Sequence, residues 1–238
     1  MLFSILSGGD VREIIISLLL TIPVILIALS THEAAHGYIA YKMGDRTAYN
    51  LGRVTLNPVK HLDPMGSLCM LVFGYGWAKP VPINARNFKN SKKGMAFTAI
   101  AGPISNIILG VIGALMCAIV QFLYAYFIFD IISNEFLSNV MSTLFTFFYF
   151  FGYMNFTLAV FNLIPVPPFD GSRFFSLFLP DRLYFSIMRY ERYILIGVLI
   201  AMFACSRLFD FSPFGWVADK LFDLVYNPIL KLLATLFA

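Results

Sequence analysis

Two histidines with a glutamate between them are the residues in this sequence best equipped to do chemistry: His32-Glu33-Ala34-Ala35-His36. On a helix, positions i and i+4 stack on one face about 6 Å apart, so both imidazoles can grip one Zn²⁺. Glu33, one position on, points to the flank of that face, where a carboxylate can take a proton from water on the metal. With three His in 238 residues, chance placement gives the HExxH pattern with a probability of roughly 10⁻³. Three ionisable groups at the end of an apolar helix are also costly, and such groups usually mark function.

Two histidines fall short of the three protein ligands that a catalytic zinc site uses. The candidates for the third are Asp170, in Pro167-Pro168-Phe169-Asp170-Gly171, and His61 and Asp63, in the run from Asn57 to Pro64. An aspartate before glycine is commonly a turn residue, and His61 and Asp63 read first as loop staples. Spacing alone does not choose among the three. Asn106 reads as an interhelical hydrogen-bonding residue or a cap for a break at Gly102-Pro103. Asn155 and Asn162 stand at i and i+7 and share a helix face, which is either a protein-facing polar stripe or a substrate-facing one.

The elements that must position these residues are apolar helices. Of the 238 residues, 59% are hydrophobic and 13% charged, and mean hydropathy is +0.79. A water-facing domain is nearer half apolar and a quarter charged, so the chain cannot cover a soluble surface. Disorder and a disulfide scaffold are excluded as well, the first for want of charge and the second for want of cysteines. Cys69, Cys117 and Cys205 are far apart and read as reduced packing residues.

The first apolar stretch, Ile14 to Ser30, is near the minimum for crossing about 30 Å of hydrocarbon. Its helical pattern continues through His32 and His36 until Gly44 offers a C-cap, with Pro23 kinking the helix rather than ending it. A second stretch runs from about Met95 to Phe129, with Gly102-Pro103 as its expected break. A third covers Val140 to Ile164 and a fourth Tyr193 to about Phe209. The tail from Trp216 to Ala238, broken by Pro228, fits an interfacial helix as well as a span. The expected fold is therefore an all-α polytopic membrane protein, a helical bundle of about four to six spans. It forms a single membrane-embedded domain over residues 1–238, with additional helices over 193–238.

Residues Lys42 to Lys93 carry nine of the seventeen basic residues and only two acids, Asp45 and Asp63. Lys/Arg-rich loops stay cytoplasmic, which places the N-terminus outside and this loop inside. The pI near 8.9 then reflects topology and contact with anionic lipid, not a nucleic-acid surface. Inside the loop, Gly66 to Asn84 is apolar but Gly/Pro-punctuated. It reads as a re-entrant or membrane-edge β-hairpin with Pro80 and Pro82 on an edge strand.

The HEAAH run on a first span, then Gly102-Pro103-Ile104-Ser105-Asn106, then Asn162-Leu163-Ile164-Pro165-Val166-Pro167-Pro168-Phe169-Asp170-Gly171, together resemble the site-2 protease family of intramembrane zinc metalloproteases. The loop motifs Gly52 to Pro58, His61 to Gly66 and Gly76 to Asn84 resemble its compact subgroup, which lacks PDZ and CBS domains. The match spans about residues 25 to 175. The resemblance implies one Zn²⁺ per chain held by His32, His36 and Asp170, Glu33 as general base, and Asn162 as a contact to substrate backbone or oxyanion. The usual Leu before Asp-Gly is Phe169 here. Thr157 stands where some members have a further asparagine, so Asn155 and Asn106 stay open as second substrate contacts. The resemblance also implies a single-span membrane-protein substrate or its pre-cleaved remnant, the lipid bilayer of a prokaryotic cell as surroundings, and no nucleic acid. It leaves a homo-oligomer open. The competing class is a membrane zinc transporter or scaffold, which would need polar groups strung across the membrane. A prenyl-protein endopeptidase would need a glutamate ligand on a later helix, and Glu135 and Glu191 lack suitable motifs.

Overall fold

The computed structural model describes residues 11–66, 78–128, 135–208 and 212–237. It is 81% helical. Eight α-helices are named here: α1 (Val11–Lys42), α2 (Thr47–Asn50), α3 (Ser91–Leu123), α4 (Glu135–Asn162), α5 (Asp170–Phe175), α6 (Asp181–Met188), α7 (Glu191–Leu208) and α8 (Pro213–Phe237). Three of them hold segments long and apolar enough to cross a membrane: Leu18–Lys42, Ser91–Tyr126, which runs from α3 into the π-turn Tyr124–Ile128 after it, and Glu135–Asn162. The chain is thus an all-α integral membrane protein. Cys117 and Cys205 are free thiols, while Cys69 lies outside the described residues.

Two compact units divide the chain. The first comprises Met1–Ser105 and Leu163–Glu191, the second Asn106–Asn162 and Arg192–Ala238. In the second, α8 packs on α4, with Ala114 and Cys117 of α3, Phe156 of α4, and Ala218 and Phe222 of α8 forming the buried core. Small residues at such contacts let helix backbones approach closely.

The first unit is organised by the end of α1. Gly44, at φ 113°, donates to Tyr41 O at 3.1 Å, and Asp45 N donates to Ala40 O at 2.9 Å. This is the double bond of a Schellman cap, which needs a left-handed residue at its turn. The short α2 ends the same way at Gly52, φ 63°, with Gly52 N donating to Tyr49 O and Arg53 N to Ala48 O. Between the two caps Asp45 is fully buried. Its carboxylate accepts from Thr47 N and Oγ1, from Asn84 N at 2.7 Å and from Asn87 Nδ2 at 2.7 Å. The end of α1 is thereby tied to the segment that precedes α3.

Two expected breaks are corrected. Gly102-Pro103 does not interrupt α3, which runs continuously through Pro103, and α8 likewise passes through Pro228. An interior proline removes one backbone donor and crowds the carbonyl four residues back. Within apolar bundles, side chains and neighbouring helices can satisfy the carbonyls so freed. The carbonyl that loses its helical donor at Pro103 is that of Ala99; in the same stretch the Ser105 hydroxyl donates to Gly102 O at 2.7 Å, and an imidazole from α1 donates to Thr98 O, as described below. Most of the Gly66–Asn84 hairpin, residues 67–77, lies outside the described residues. Its C-terminal part is extended, and among the described residues the strand-like pairing is an isolated antiparallel bridge between Leu62 and Ala78.

Burial alone would raise the Asp45 pKa, but the hydrogen bonds from Thr47, Asn84 and Asn87 hold it below the ordinary carboxylate value. A lowered folded-state pKa gives stabilisation that is complete above the unfolded value of about 3.9 and drains away as pH falls through the lower folded value. Asp45→Ala is expected to lower stability at pH 7 by roughly 2–4 kcal/mol, with the gap from wild type closing below about pH 4. Thermal melts of both proteins in detergent at pH 7 and pH 3 check this, and equal melting at pH 7 would contradict it.

Candidate metal centre

The late turns of α1 present His32 and His36 on one face, as their spacing requires. Both are buried. Their Nε2 atoms lie 3.0 Å apart, and the rings meet almost perpendicularly at 89°. Asp170, the first residue of α5, brings Oδ2 to 3.1 Å from His32 Nε2 and 3.2 Å from His36 Nε2. Three electron-pair donors thus form a nearly equilateral triangle. Four-coordinate zinc with bonds of about 2.0–2.1 Å needs donors roughly 3.3 Å apart, so the triangle fits one face of its coordination tetrahedron. Two imidazoles and a carboxylate are also donors that zinc favours.

Two features of α3 shape this group. His36 Nδ1 donates to Thr98 O at 2.7 Å. Because a carbonyl only accepts, the proton must sit on Nδ1, and Nε2 is left as a lone pair facing His32 and Asp170. Gly102 supplies the room: a Cβ there would lie 2.5 Å from His32 Cε1 and His36 Nε2. The Gly-Pro pair therefore serves the histidines by close approach and not by breaking a helix.

Asp170 is carried by the chain that leaves α4. The helix ends at Asn162, before the proline cluster that cannot continue it. The following residues turn tightly enough that a Cβ on Gly171 would lie 2.3 Å from Leu163 O. Ser172 N and Oγ both donate to Phe169 O, at 3.0 and 2.7 Å, which fixes the start of α5.

The other third-ligand candidates are loop staples. His61 Nε2 donates to Thr55 O at 2.8 Å, while His61 O accepts from Lys79 N and Asp63 Oδ1 accepts from Gly66 N at 2.8 Å. Glu33 Oε2 accepts from Val81 N at 2.8 Å, a backbone contact that nothing in the sequence pattern announces. In the second unit, Asn106 and Asn155 are fully buried. Asn106 Nδ2 donates to Asn155 Oδ1 at 2.9 Å, and Asn155 Nδ2 to Phe151 O at 2.8 Å. This joins α3 to α4, which is the interhelical alternative for Asn106, and Asn155 is its partner. Asn162 is half-buried and donates to Leu158 O at 3.0 Å.

Comparison with known proteins adds to this geometry. The family model described as Peptidase family M50 matches residues 20–204. The chain belongs to that family, the site-2 proteases. Residues 32, 36 and 170 all fall within the match. Over 214 residues, 90% of each chain, it is 36% identical to the Bacillus subtilis (strain 168) protein named "Putative zinc metalloprotease YwhC". A second relative, "Putative zinc metalloprotease Rip2" of Mycolicibacterium smegmatis (strain ATCC 700084 / mc(2)155), is 27% identical over 151 residues, 61% of this chain and 52% of that one. No solved structure matches. As a site-2 protease the chain is an intramembrane metalloprotease, and its metal is zinc.

Gly102→Ala is expected to push the imidazoles apart and weaken zinc binding by about 10–100-fold. Purified variant should lose metal and cleavage together while its circular dichroism stays that of wild type. Full zinc content after competition with a chelator would show that the close approach is unimportant.

Proposed function

We propose that His32, His36 and Asp170 hold the zinc and that Glu33 is the general base for hydrolysis of peptide bonds in or beside membrane-spanning segments. The observation that carries this reading is the triangle of donors with the Glu33 carboxylate fixed next to it on α1. Zinc in that position supplies a Lewis acid that brings the pKa of bound water toward about 7 and polarises a carbonyl. Glu33 takes the proton of the attacking water and later delivers it to the leaving amine. His36, oriented through Nδ1 by Thr98 O, keeps its other nitrogen in the donor role. Asn162, the last residue of α4, is the substrate contact, while the Asn106–Asn155 pair joins α3 to α4.

The basic 42–93 segment supports a cytoplasmic position for this loop and an external N-terminus, so water reaches the site from the inside and substrate arrives through lipid. α7 and α8 join the three longer helices in a single membrane-embedded domain of about four to six spans. The substrate is a single-span membrane protein or its pre-cleaved remnant. It lies extended beside the Ala78–Asn84 strip, because a helical peptide shields its own carbonyls from attack.

Glu33→Gln is expected to reduce cleavage by about 10²–10⁴-fold with zinc content intact, whereas His36→Ala or Asp170→Ala should lose zinc and activity together. Metal analysis beside a cleavage assay in liposomes reads both quantities. Near wild-type cleavage by Glu33→Gln would overturn the role given to that residue. Retained stoichiometric zinc in Asp170→Ala would overturn the ligand set.

A further inference from the structure

The described end of the 66–84 segment is held peptide by peptide. Lys79 N donates to His61 O at 2.8 Å, and Asn84 N donates to Asp45 Oδ2 at 2.7 Å. Between them Arg53, itself buried, donates through Nη2 to Lys79 O at 2.8 Å and lies 3.4 Å from Pro80 O. Val81 N donates to Glu33 Oε2 at 2.8 Å. The Pro80 carbonyl and the Val81 N–H belong to one planar peptide group and point in opposite directions. That group therefore has a guanidinium at its oxygen and a carboxylate at its hydrogen.

Three sequence features keep it there. Pro80 and Pro82 fix φ on either side and have no N–H of their own, so Val81 is the only backbone donor of the Pro-Val-Pro run. The Val81 side chain is buried against α1, where a Cβ on Gly37 would come within 3.3 Å of it. Arg53 follows directly on the Gly52 cap, which sets where its side chain begins. A cation at the carbonyl polarises the peptide and strengthens the bond its N–H makes to an anion.

We propose that Arg53 and the Pro80–Val81 peptide form a relay that positions Glu33, resting on the reading of Glu33 as the base. A glutamate has three rotatable bonds, and the α1 backbone fixes only its Cα. The Val81 N–H binds one carboxylate oxygen and so aims the other at the water to be deprotonated. Arg53 is a positioning residue: it acts through the peptide and does not touch the reacting atoms.

The test replaces the Pro80–Val81 amide by an ester, which deletes that N–H and also weakens the Pro80 carbonyl as an acceptor, so that it acts on both ends of the relay. It also makes Arg53→Ala and Arg53→Lys, with Glu33→Gln as control. Each protein is assayed in liposomes with one single-span substrate that wild type cleaves, and its zinc content is measured. Val81 amide exchange is read in metal-free wild type and Arg53→Ala; in the Lys79–Asn84 stretch the prolines leave few other amides. The ester and Arg53→Ala should each lower kcat by about 10–100-fold, with KM within about twofold and zinc retained. Combining them should add little, Arg53→Lys should restore part of kcat, and Val81 exchange should speed up in Arg53→Ala. Wild-type kcat in the ester overturns the relay, as does zinc loss or a changed KM with unchanged kcat in Arg53→Ala. An inactive Glu33→Gln with a fully active ester removes the relay alone; an active Glu33→Gln removes the base reading itself.

Discussion

Three lone pairs held 3.0–3.2 Å apart in buried surroundings repel one another unless a cation lies among them. Much of the first unit can be understood as the cost of holding that arrangement and the means of offsetting it. Two of the donors come from one helix, so their separation is set by helical geometry. The third comes from a residue 138 positions away and depends on a tight turn after α4, where Gly171 lets the backbone pass against Leu163. The centre is therefore rigid on one side by secondary structure and on the other by close backbone packing.

α3 acts on the same group without contributing a donor atom. Its Thr98 carbonyl fixes the tautomer of His36, and its Gly102 leaves the space the rings occupy. Both lie within the five residues before Pro103, whose missing N–H leaves the Ala99 carbonyl without its helical donor. The proline and the metal group thus share one region of the bundle, and the continuity of α3 is what lets a carbonyl and an absent side chain face the same pair of rings.

The HEAAH run made the histidine pair and Glu33 legible in the sequence, because one short period fixes their geometry. The three long apolar helices were equally plain, as was the cap at Gly44. Asp170 stood as one of three candidates until the family motif around it singled it out, since no local spacing links residue 170 to residue 32. Gly102 was seen, but for the wrong reason: a Gly-Pro pair marks a break by propensity, whereas tertiary packing keeps the helix whole and uses the missing Cβ. Thr98 and Val81 could not be found at all, since both act through the backbone, which every residue type shares. Asn106 and Asn155 carried a readable polar signal, but only contact could show that each completes the other.

The capped end of α1 also fixes a rotational phase. From His36 to Lys42 the helix rises about 9 Å, and the Gly44 turn then delivers Asp45 to Asn84. One extra residue in that interval would turn everything beyond it by about 100° relative to the imidazoles. The carboxylate that anchors the Ala78–Asn84 strip would then face another direction, and the strip would lose its alignment with Glu33. The length of this helix end works as a gauge, matching the depth of the histidines to the level at which the chain folds back over them.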